Sequence, residues 1–387
     1  LIASSAKVQN KKQLLKTIIE NIMAAYSAKL IDLHPYTITE ITESIIKLDN
    51  FAFGISEKSF FETYSNKIDN YSWTLVHSEL SQHLPKKLLS IGDSAGLLNL
   101  LDYFFGFATY EEEAISFFGQ KPGEPYIQKR PYVETFYLDE LGRNNGKQII
   151  EFLGLDGLRI IAAKLTAVEK LGAFSISTSS IPSIEQSSQS GYGSDWENCL
   201  VKFIRDYAPL LNPGQQDEFI EEMLLSKVQI LQRLAIHLTR ENFSLFSNKW
   251  FSYIESYEKD LPIYIHEPYE LLRQHSADFT NEQFEKTVNW IEAINPLETY
   301  ELNGKIHDAS AYRIRRWFTA LNPGSQKSNE LLTQRIQHYE GKNGAAMTDH
   351  PEFDSYGSSH IGFNHPMSFE VFQQLSVMDR VKYIKEF

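Results

Sequence analysis

The residues best suited to chemistry in this sequence stand close together between positions 349 and 365. Their side chains are carboxylates and imidazoles, contributed by Asp349, His350, Glu352, Asp354, His360 and His365. Such groups are common ligands of zinc and related metals. No helical spacing such as His-Glu-x-x-His fixes them in one orientation. One interpretation is the metal site of a hydrolase, with Asp349, His350, Asp354, His360 and His365 as ligands.

The other interpretation of this stretch is a loop that covers neighbouring helices. Phe353 and Phe363 supply apolar surface that can dock on helices, and Pro351 and Pro366 reduce the entropy that the loop loses on ordering. We expect residues 348–368 to be ordered, with the histidines in ordinary hydrogen bonds. No metal and no other cofactor is therefore expected in this chain.

Basic residues form two small clusters that are candidate binding surfaces. They are Arg313, Arg315, Arg316 with Trp317 on a predicted helix, and Lys129 with Arg130 in a proline-rich stretch. The arginine cluster could bind an acidic peptide or a nucleic-acid backbone, and salt bridges between repeats are the alternative. The formal net charge of −13 opposes broad attraction to nucleic acid. A protein partner is expected, with nucleic acid as the alternative at a local basic patch.

Two further patterns imitate catalytic motifs without completing them. Residues 142–148, Gly-Arg-Asn-Asn-Gly-Lys-Gln, are similar to a phosphate-binding loop, but the spacing is one residue short. Gln148 also replaces the hydroxyl residue that would bind magnesium, so a polar helix connection fits better. Cys199 and His237 have the types of a nucleophile and a base, but Cys199 lies in an apolar helical pattern. That pattern predicts a core thiol, and no catalytic residue is assigned.

The elements that must position these residues are predicted to be helices. Leu14, Ile18, Ile22 and Tyr26 recur at the four-residue spacing of a helix that packs on one face. Comparable patterns predict helices at 60–68, 96–107, 196–207, 218–239, 243–259, 268–275, 281–294, 311–321 and 328–339. Strand patterns are sparse, and the best is Ile263-Tyr264-Ile265. We predict an all-α fold, an irregular α-solenoid of stacked antiparallel helix pairs similar to HEAT and TPR arrays.

Two stretches interrupt the helical pattern. Residues 108–133 read as a long irregular connection. Residues 175–194 are rich in serine and lack periodicity, which predicts a loop or hinge. This second stretch would separate an N-terminal set of helical repeats, 1–174, from a C-terminal set, 195–387.

Composition bounds the class of protein. With 387 residues and 42% hydrophobic residues, the chain can bury a large core. The single cysteine excludes an internal disulfide and fits a reducing compartment, so a cytoplasmic location is expected. No apolar run approaches the roughly 20 residues that span a bilayer, and no membrane partner is expected. The first residue is not methionine and the last residues stop inside an amphipathic pattern, so we expect a piece of a larger protein.

Several segments, taken in order, resemble a known family. They are Pro85-Lys86-Lys87-Leu88-Leu89, Leu97-Leu98-Asn99-Leu100-Leu101-Asp102-Tyr103-Phe104-Phe105-Gly106-Phe107, Phe152-Leu153-Gly154-Leu155-Asp156-Gly157-Leu158, Asn198-Cys199-Leu200-Val201, Arg205-Asp206, Arg233-Leu234-Ala235, Arg316-Trp317 and His350-Pro351-Glu352-Phe353. Their order is similar to the helical-repeat region of large bacterial P-loop ATPases of the STAND type, several of which are antiviral defence proteins. The similarity runs from about Leu84 to the end.

In that family an effector domain, an ATPase core and a helical-repeat sensor share one chain. The resemblance implies that this chain is the repeat region, which recognises a protein target or mediates self-assembly. No phosphate-binding loop is complete here, so the resemblance also implies that the ATPase lies elsewhere and that this chain is not itself an enzyme. The alternative function is a metal-dependent hydrolase that uses the loop at 349–365.

Overall fold

A computed structural model describes residues 2–48, 52–67, 73–112, 126–171, 183–185, 196–256, 265–302 and 305–343. The all-α prediction is confirmed, since the described residues form 17 α-helices and two antiparallel hairpins. The helices are α1 (Ile2–Ser27), α2 (Pro35–Lys47), α3 (Ile55–Lys67), α4 (Trp73–Gln82), α5 (Leu84–Ile91), α6 (Ser94–Phe104), α7 (Thr135–Leu141), α8 (Lys147–Leu153), α9 (Leu155–Glu169), α10 (Trp196–Tyr207), α11 (Pro213–Leu225), α12 (Gln229–Glu241), α13 (Phe243–Ser256), α14 (His266–His275), α15 (Asn281–Ala293), α16 (Ala309–Phe318) and α17 (Gln326–Glu340). The hairpins are β1 (Phe107–Glu112) with β2 (Tyr126–Pro131), and β3 (Thr299–Leu302) with β4 (Lys305–Asp308).

Local capping chemistry explains where several helices begin. The Asp93 side chain accepts a hydrogen bond from the backbone N–H of Gly96 and caps α6. Thr280 and Gln283 form a reciprocal capping box at the start of α15. Asn212 caps α11, whose first residue is a proline. Each cap satisfies backbone donors that the first turn of a helix leaves without a partner.

The helices pack in two layers. In layer A each helix contacts the next in the order α1, α3, α6, α9, α11, α13, α15, α17. In layer B the order of contacts is α2, α4, α7, α10, α12, α14. Layer B continues from α14 to α16. The hydroxyl of Tyr269 on α14 is hydrogen-bonded at 2.9 Å to the hydroxyl of Thr319, the C-cap residue of α16. Contacts between alternate helices are those expected of stacked helix pairs; the superhelical form of a solenoid stays a prediction.

Ion pairs join every neighbouring pair of helices in layer A from α3 to α17. The pairs are Lys58–Asp102, Lys164–Asp102, Arg159–Glu222, Lys249–Glu221, Lys286–Glu255 and Arg335–Glu292. Exposed pairs of this kind contribute little to stability individually. Their recurrence at each step favours one register between neighbouring helices, because a shifted helix would lose its ion pair.

The hydrophobic core does not divide at the serine-rich segment. One cluster of buried residues includes Leu165 of α9, Ile184 within the segment and Leu200 of α10. A second cluster begins around α12 and α13 and continues to α17. Contacts within both layers also continue across the segment, because α9 packs on α11 and α7 packs on α10. The division of the chain into two repeat sets at 175–194 stays a prediction.

Three expectations about local structure are wrong. The irregular connection at 108–133 contains the hairpin β1–β2, and a second hairpin, β3–β4, was not predicted. The single helix at 218–239 is two helices, because the chain turns at Ser226–Val228. The apolar pattern keeps its helical spacing across that turn, at Leu224, Val228 and Leu231, so the sequence does not show the break between the two helices. Ile265 is the N-cap residue of α14 and is not in a strand; Ile263 and Tyr264 lie outside the described residues.

Candidate functional site

A groove on layer B is the best candidate for a binding site in the described structure. Three helices, α10, α12 and α14, surround a short piece of the serine-rich segment, Ser183-Ile184-Glu185. We call this piece the 183–185 segment and its surroundings the layer B groove. The Ile184 side chain is only 1% exposed, so the groove encloses it.

The 183–185 segment is a tight bend held by its own serine. The backbone N–H of Glu185 donates to Ser183 Oγ at 3.0 Å, which closes the bend. Short hydroxyl side chains often stabilise turns in this way. The bend directs the Ile184 side chain inward and leaves both backbone polar groups of Ile184 available to the groove.

Each residue of the bend contacts a different polar group of the groove. From α14, Glu267 Oε1 accepts from the Ile184 N–H at 3.0 Å, and His266 Nε2 lies 3.0 Å from Ser183 Oγ. From α10, Arg205 Nη1 donates to the Ile184 carbonyl oxygen at 3.2 Å. From α12, Arg240 forms an ion pair with the Glu185 carboxylate. The groove therefore recognises both the backbone and the side chains of the bend.

A buried ion pair forms the floor of the groove. Arg233 of α12 donates two hydrogen bonds of 2.8 Å to the carboxylate of Glu267 on α14. Their side chains are only 2% and 1% exposed. Burial alone would raise the pKa of Glu267, but Arg233 and the hydrogen bond from Ile184 outweigh burial and lower it. Glu267 therefore stays ionised and keeps a fixed position for the Ile184 N–H.

An open cleft continues the groove beyond Glu185. Its volume is about 490 Å³. The cleft is lined by Glu185, Arg205, Pro209, His237, Leu238, Arg240, Glu241 and Asn242. His237 Nδ1 lies 3.2 Å from Arg240 Nη2, and it accepts that bond because a guanidinium can only donate. Burial is the main cause that lowers the pKa of His237, and the positive charge of Arg240 lowers it further, to about 4.

We expect the lowered pKa of His237 to make the protein sensitive to acid. The ordinary pKa of histidine is 6.5 and that of His237 in the folded protein is about 4, so between pH 4 and pH 6.5 the unfolded chain binds the proton more readily. Stability from this group is complete above pH 6.5 and falls as the pH decreases towards 4, by about 2 kcal/mol at pH 5. The buried His77, whose pKa burial lowers to about 3, adds its own loss over the same range, so in urea unfolding at pH 7.5 and pH 5.0 the loss in His237→Gln should be about 2 kcal/mol smaller than in the wild type.

The matched control for this measurement is His338→Gln, because His338 is exposed on α17. This variant should lose as much stability between the two pH values as the wild type. Equal losses in the wild type and in His237→Gln would contradict the assignment of acid sensitivity to His237.

The arginine cluster predicted from sequence does not form one surface. Arg313 pairs with Glu298 at 2.7 Å, and Arg315 bonds to the Asn343 carbonyl at the other side of α16. Arg316 and Trp317 are buried, at 7% and 2% exposure. Arg315 also pairs with Glu340 of α17 at 3.7 Å, which matches the alternative interpretation of salt bridges between helices, while a binding role for the cluster stays a prediction.

The second basic pair lies on β2. Lys129 forms an ion pair with Glu197 of α10, and its ammonium lies 5.7 Å from the centre of the Trp196 ring. Arg130 is half-buried and stands opposite Ala108 of β1. Lys129 thereby ties the first hairpin to layer B. Its role in binding a partner also stays a prediction.

The stretch at 142–148 is a helical connection, as predicted. A π-helical turn, Gly142–Gly146, joins α7 directly to α8. Asn145 is buried and donates to the Ser81 carbonyl at 2.9 Å. A β-carbon on Gly146 would lie 2.5 Å from Tyr207, so glycine is needed there for packing. The glycines of this stretch thus serve helix packing against α10.

Cys199 is a buried thiol, as predicted, and belongs to the first hydrophobic cluster. Its Sγ lies 3.9 Å from the Thr135 carbonyl oxygen. His237 lines the cleft described above, whereas Cys199 lines a separate small cavity with Leu138 and Phe203. The structure therefore places the two residues in different surroundings.

The acidic and histidine-rich stretch falls outside the described residues, which end at 343. It includes the candidate metal ligands Asp349, His350, Asp354, His360 and His365 and the docking residue Phe353. Among the residues that are described, no cluster of three or more His, Cys, Asp or Glu side chains could hold a metal ion. The loop and the hydrolase alternative both stay predictions.

Sequence reasoning missed the layer B groove, although α12 carries a readable signal. Arg233, His237 and Arg240 recur at intervals of four and three residues, which places them on one helical face. All three are buried. A basic stripe beside an apolar one indicates a polar partner packed on the same helix. Two partners of this stripe, Glu185 and Glu267, come from distant parts of the chain and give no local signal.

Comparison with known proteins gives no relative for this chain. No family model matches it, and neither a curated protein nor a solved structure does. Among the described helices, none is both long enough and apolar enough to cross a lipid bilayer. The resemblance to the repeat region of STAND-type ATPases therefore stays a prediction, and function must be argued from the groove.

Proposed function

We propose that this chain is a helical protein-binding region whose binding surface is the layer B groove. One observation carries the proposal: the groove already holds a peptide segment by both its backbone and its side chains. The Ile184 N–H and carbonyl are bound by Glu267 and Arg205, and Arg240 pairs with Glu185. Recognition of backbone groups together with one enclosed side chain is typical of peptide-binding sites.

The architecture around the groove supports the same function. Stacked helix pairs expose long continuous surfaces that suit protein partners. The ion pairs of layer A lie on helices other than α10, α12 and α14, so the groove does not depend on them for its polar groups. A role in target recognition or self-assembly within a STAND-type ATPase fits this proposal, with the effector and ATPase domains contributed by other parts of such a protein.

A peptide-display experiment tests the proposal. Random 12-residue peptides would be selected on the variant Ile184→Gly/Glu185→Gly, whose own segment no longer fills the groove, and the enriched peptides measured for binding to this variant with and without Arg205→Ala. We expect their Kd to rise about tenfold, because a charge-assisted hydrogen bond contributes roughly 1.5–3 kcal/mol and 1.4 kcal/mol is tenfold. Thermal unfolding would establish that the variant is folded.

The matched control is Arg335→Ala, which removes an arginine from layer A, where its partner is Glu292. Added to the same segment variant, it should change the Kd for these peptides by no more than about twofold. Enriched peptides that bind the segment variant equally tightly with and without Arg205→Ala would refute the layer B groove as the binding surface. A selection that enriches no peptide would refute it as well.

A further inference from the structure

We infer that the 183–185 segment occupies the groove in place of a partner peptide. The groove would then recognise a three-residue turn with Ser, Thr, Asp or Asn at the first position, an aliphatic residue at the second and an acidic residue at the third. A partner that carries this pattern would displace the segment, so the segment would be autoinhibitory. This inference specifies the partner of the proposed binding function and rests on it. Each position of the pattern follows from a separate contact.

The first position must close the bend and also meet α14. Ser183 Oγ accepts the Glu185 N–H at 3.0 Å and lies 3.0 Å from His266 Nε2. Serine, threonine, aspartate and asparagine have an oxygen at the distance from the backbone that this turn requires. Longer or apolar side chains cannot close it.

The second position fills the apolar part of the groove. Ile184 is 1% exposed and belongs to the same hydrophobic cluster as Leu200 and Ile204 of α10 and Leu234 of α12. A charged residue would lose its hydration there without a partner at the end of its side chain. An aliphatic residue is therefore required.

The third position supplies a negative charge. Glu185 pairs with Arg240, whose side chain is only 4% exposed whereas that of Glu185 is 37% exposed. The arginine is thus fixed in the wall of the groove, and the carboxylate is the exchangeable partner. A basic residue at this position would be repelled by Arg240 and Arg205.

The charged groups of the groove stay paired when the segment leaves. Arg240 keeps Glu241 at 2.7 Å, and Arg205 keeps Asp206 at 2.6 Å. Glu267 keeps both hydrogen bonds from Arg233. Each of these charges therefore keeps an oppositely charged partner in the empty groove, so emptying it leaves no unpaired buried ion. One peptide can therefore replace another without a large electrostatic cost.

The groove also offers a polar surface next to the third position. The cleft of about 490 Å³ continues beyond Glu185, between His237 and Asn242. A longer peptide bound in place of the segment would extend into this cleft. The internal segment competes because it belongs to the same chain and therefore has a high effective concentration.

Fluorescence anisotropy with a labelled seven-residue peptide tests the inference. The probe is Ile-Pro-Ser-Ile-Glu-Gln-Ser, the sequence of residues 181–187. We expect it to bind the double variant Ile184→Gly/Glu185→Gly at least tenfold more tightly than the wild type, because the emptied groove no longer holds its own segment. A probe with lysine in place of its glutamate should bind the emptied variant at least tenfold more weakly.

The matched control is the double variant Ile127→Gly/Glu111→Gly. It removes the same two residue types from paired positions on the first hairpin, and it should bind the probe as the wild type does. The single variant Glu185→Gln gives a second measurement that needs no change in the apolar core. It weakens only the ion pair with Arg240, and we expect tighter probe binding, by about threefold to tenfold.

The outcomes separate this inference from the proposed function. Equal binding of the probe to the wild type and to both segment variants would overturn autoinhibition, and so would no binding to either variant. If display-selected peptides still required Arg205, the groove would remain the binding surface but for a different sequence pattern. Display peptides that do not depend on Arg205 would overturn both.

Discussion

Arg233→Ala is expected to lower the free energy of unfolding by about 3–5 kcal/mol. The substitution leaves the Glu267 carboxylate, which is 1% exposed, without the guanidinium that donates two hydrogen bonds to it. A buried ion that loses its partner is costly, because the protein interior solvates it far less well than water does. Urea unfolding at pH 7.5 with the linear extrapolation measures the loss.

Two further variants show whether the unpaired charge is the cause. Arg233→Met combined with Glu267→Leu removes both charges at similar volume and should recover much of the lost stability. Lys286→Ala removes a cation from an exposed pair in layer A and should change stability little. If the double substitution is as destabilising as Arg233→Ala, the loss comes from packing and not from the charge of Glu267.

Trp317→Ala is expected to destabilise the protein by about 3–5 kcal/mol as well, for a different reason. The Trp317 ring is 2% exposed and its centre lies 5.4 Å from that of Trp290 and 6.5 Å from that of Tyr269. Its removal leaves a cavity among large rings that cannot close by small movements. Urea unfolding again provides the measurement.

Arg313→Ala is the matched control, because Arg313 lies on the same helix in a partly exposed ion pair with Glu298. It should cost no more than about 1 kcal/mol. Small effects of both substitutions on stability, together with lost partner binding, would instead favour the sequence-based assignment of this cluster to binding. A large effect of Trp317→Ala alone identifies it as a core residue.

The position of α12 explains why the groove and the core are connected. Residues from Ile230 to Arg240 are all buried along this helix. Leu234 belongs to the first hydrophobic cluster and Ile236 to the second. The same helix supplies Arg233 and Arg240 to the groove. Substitutions in the groove must therefore be judged by stability as well as by binding.

Local sequence determined most of the helices. The apolar spacing between 196 and 207 predicted the helix that the structure has there, Trp196–Tyr207, and it placed Cys199 in the core. Such predictions succeed because helical periodicity depends on residues only three and four positions apart. The same dependence produced the errors, since apolar spacing continued across the turn at 226–228 and the short strand pairs carry too few residues for a period to appear.

Only the tertiary structure decided where the groove lies. The stripe of Arg233, His237 and Arg240 was readable from sequence, but its partners were not. Arg233 bonds to Glu267, 34 positions away, and Ile184 bonds to Glu267 across 83 positions. Such pairings depend on how layer B stacks, and no short-range pattern encodes them. The composition of the serine-rich segment predicted a loop, whereas the bend that fills the groove exists because three helices converge around one isoleucine.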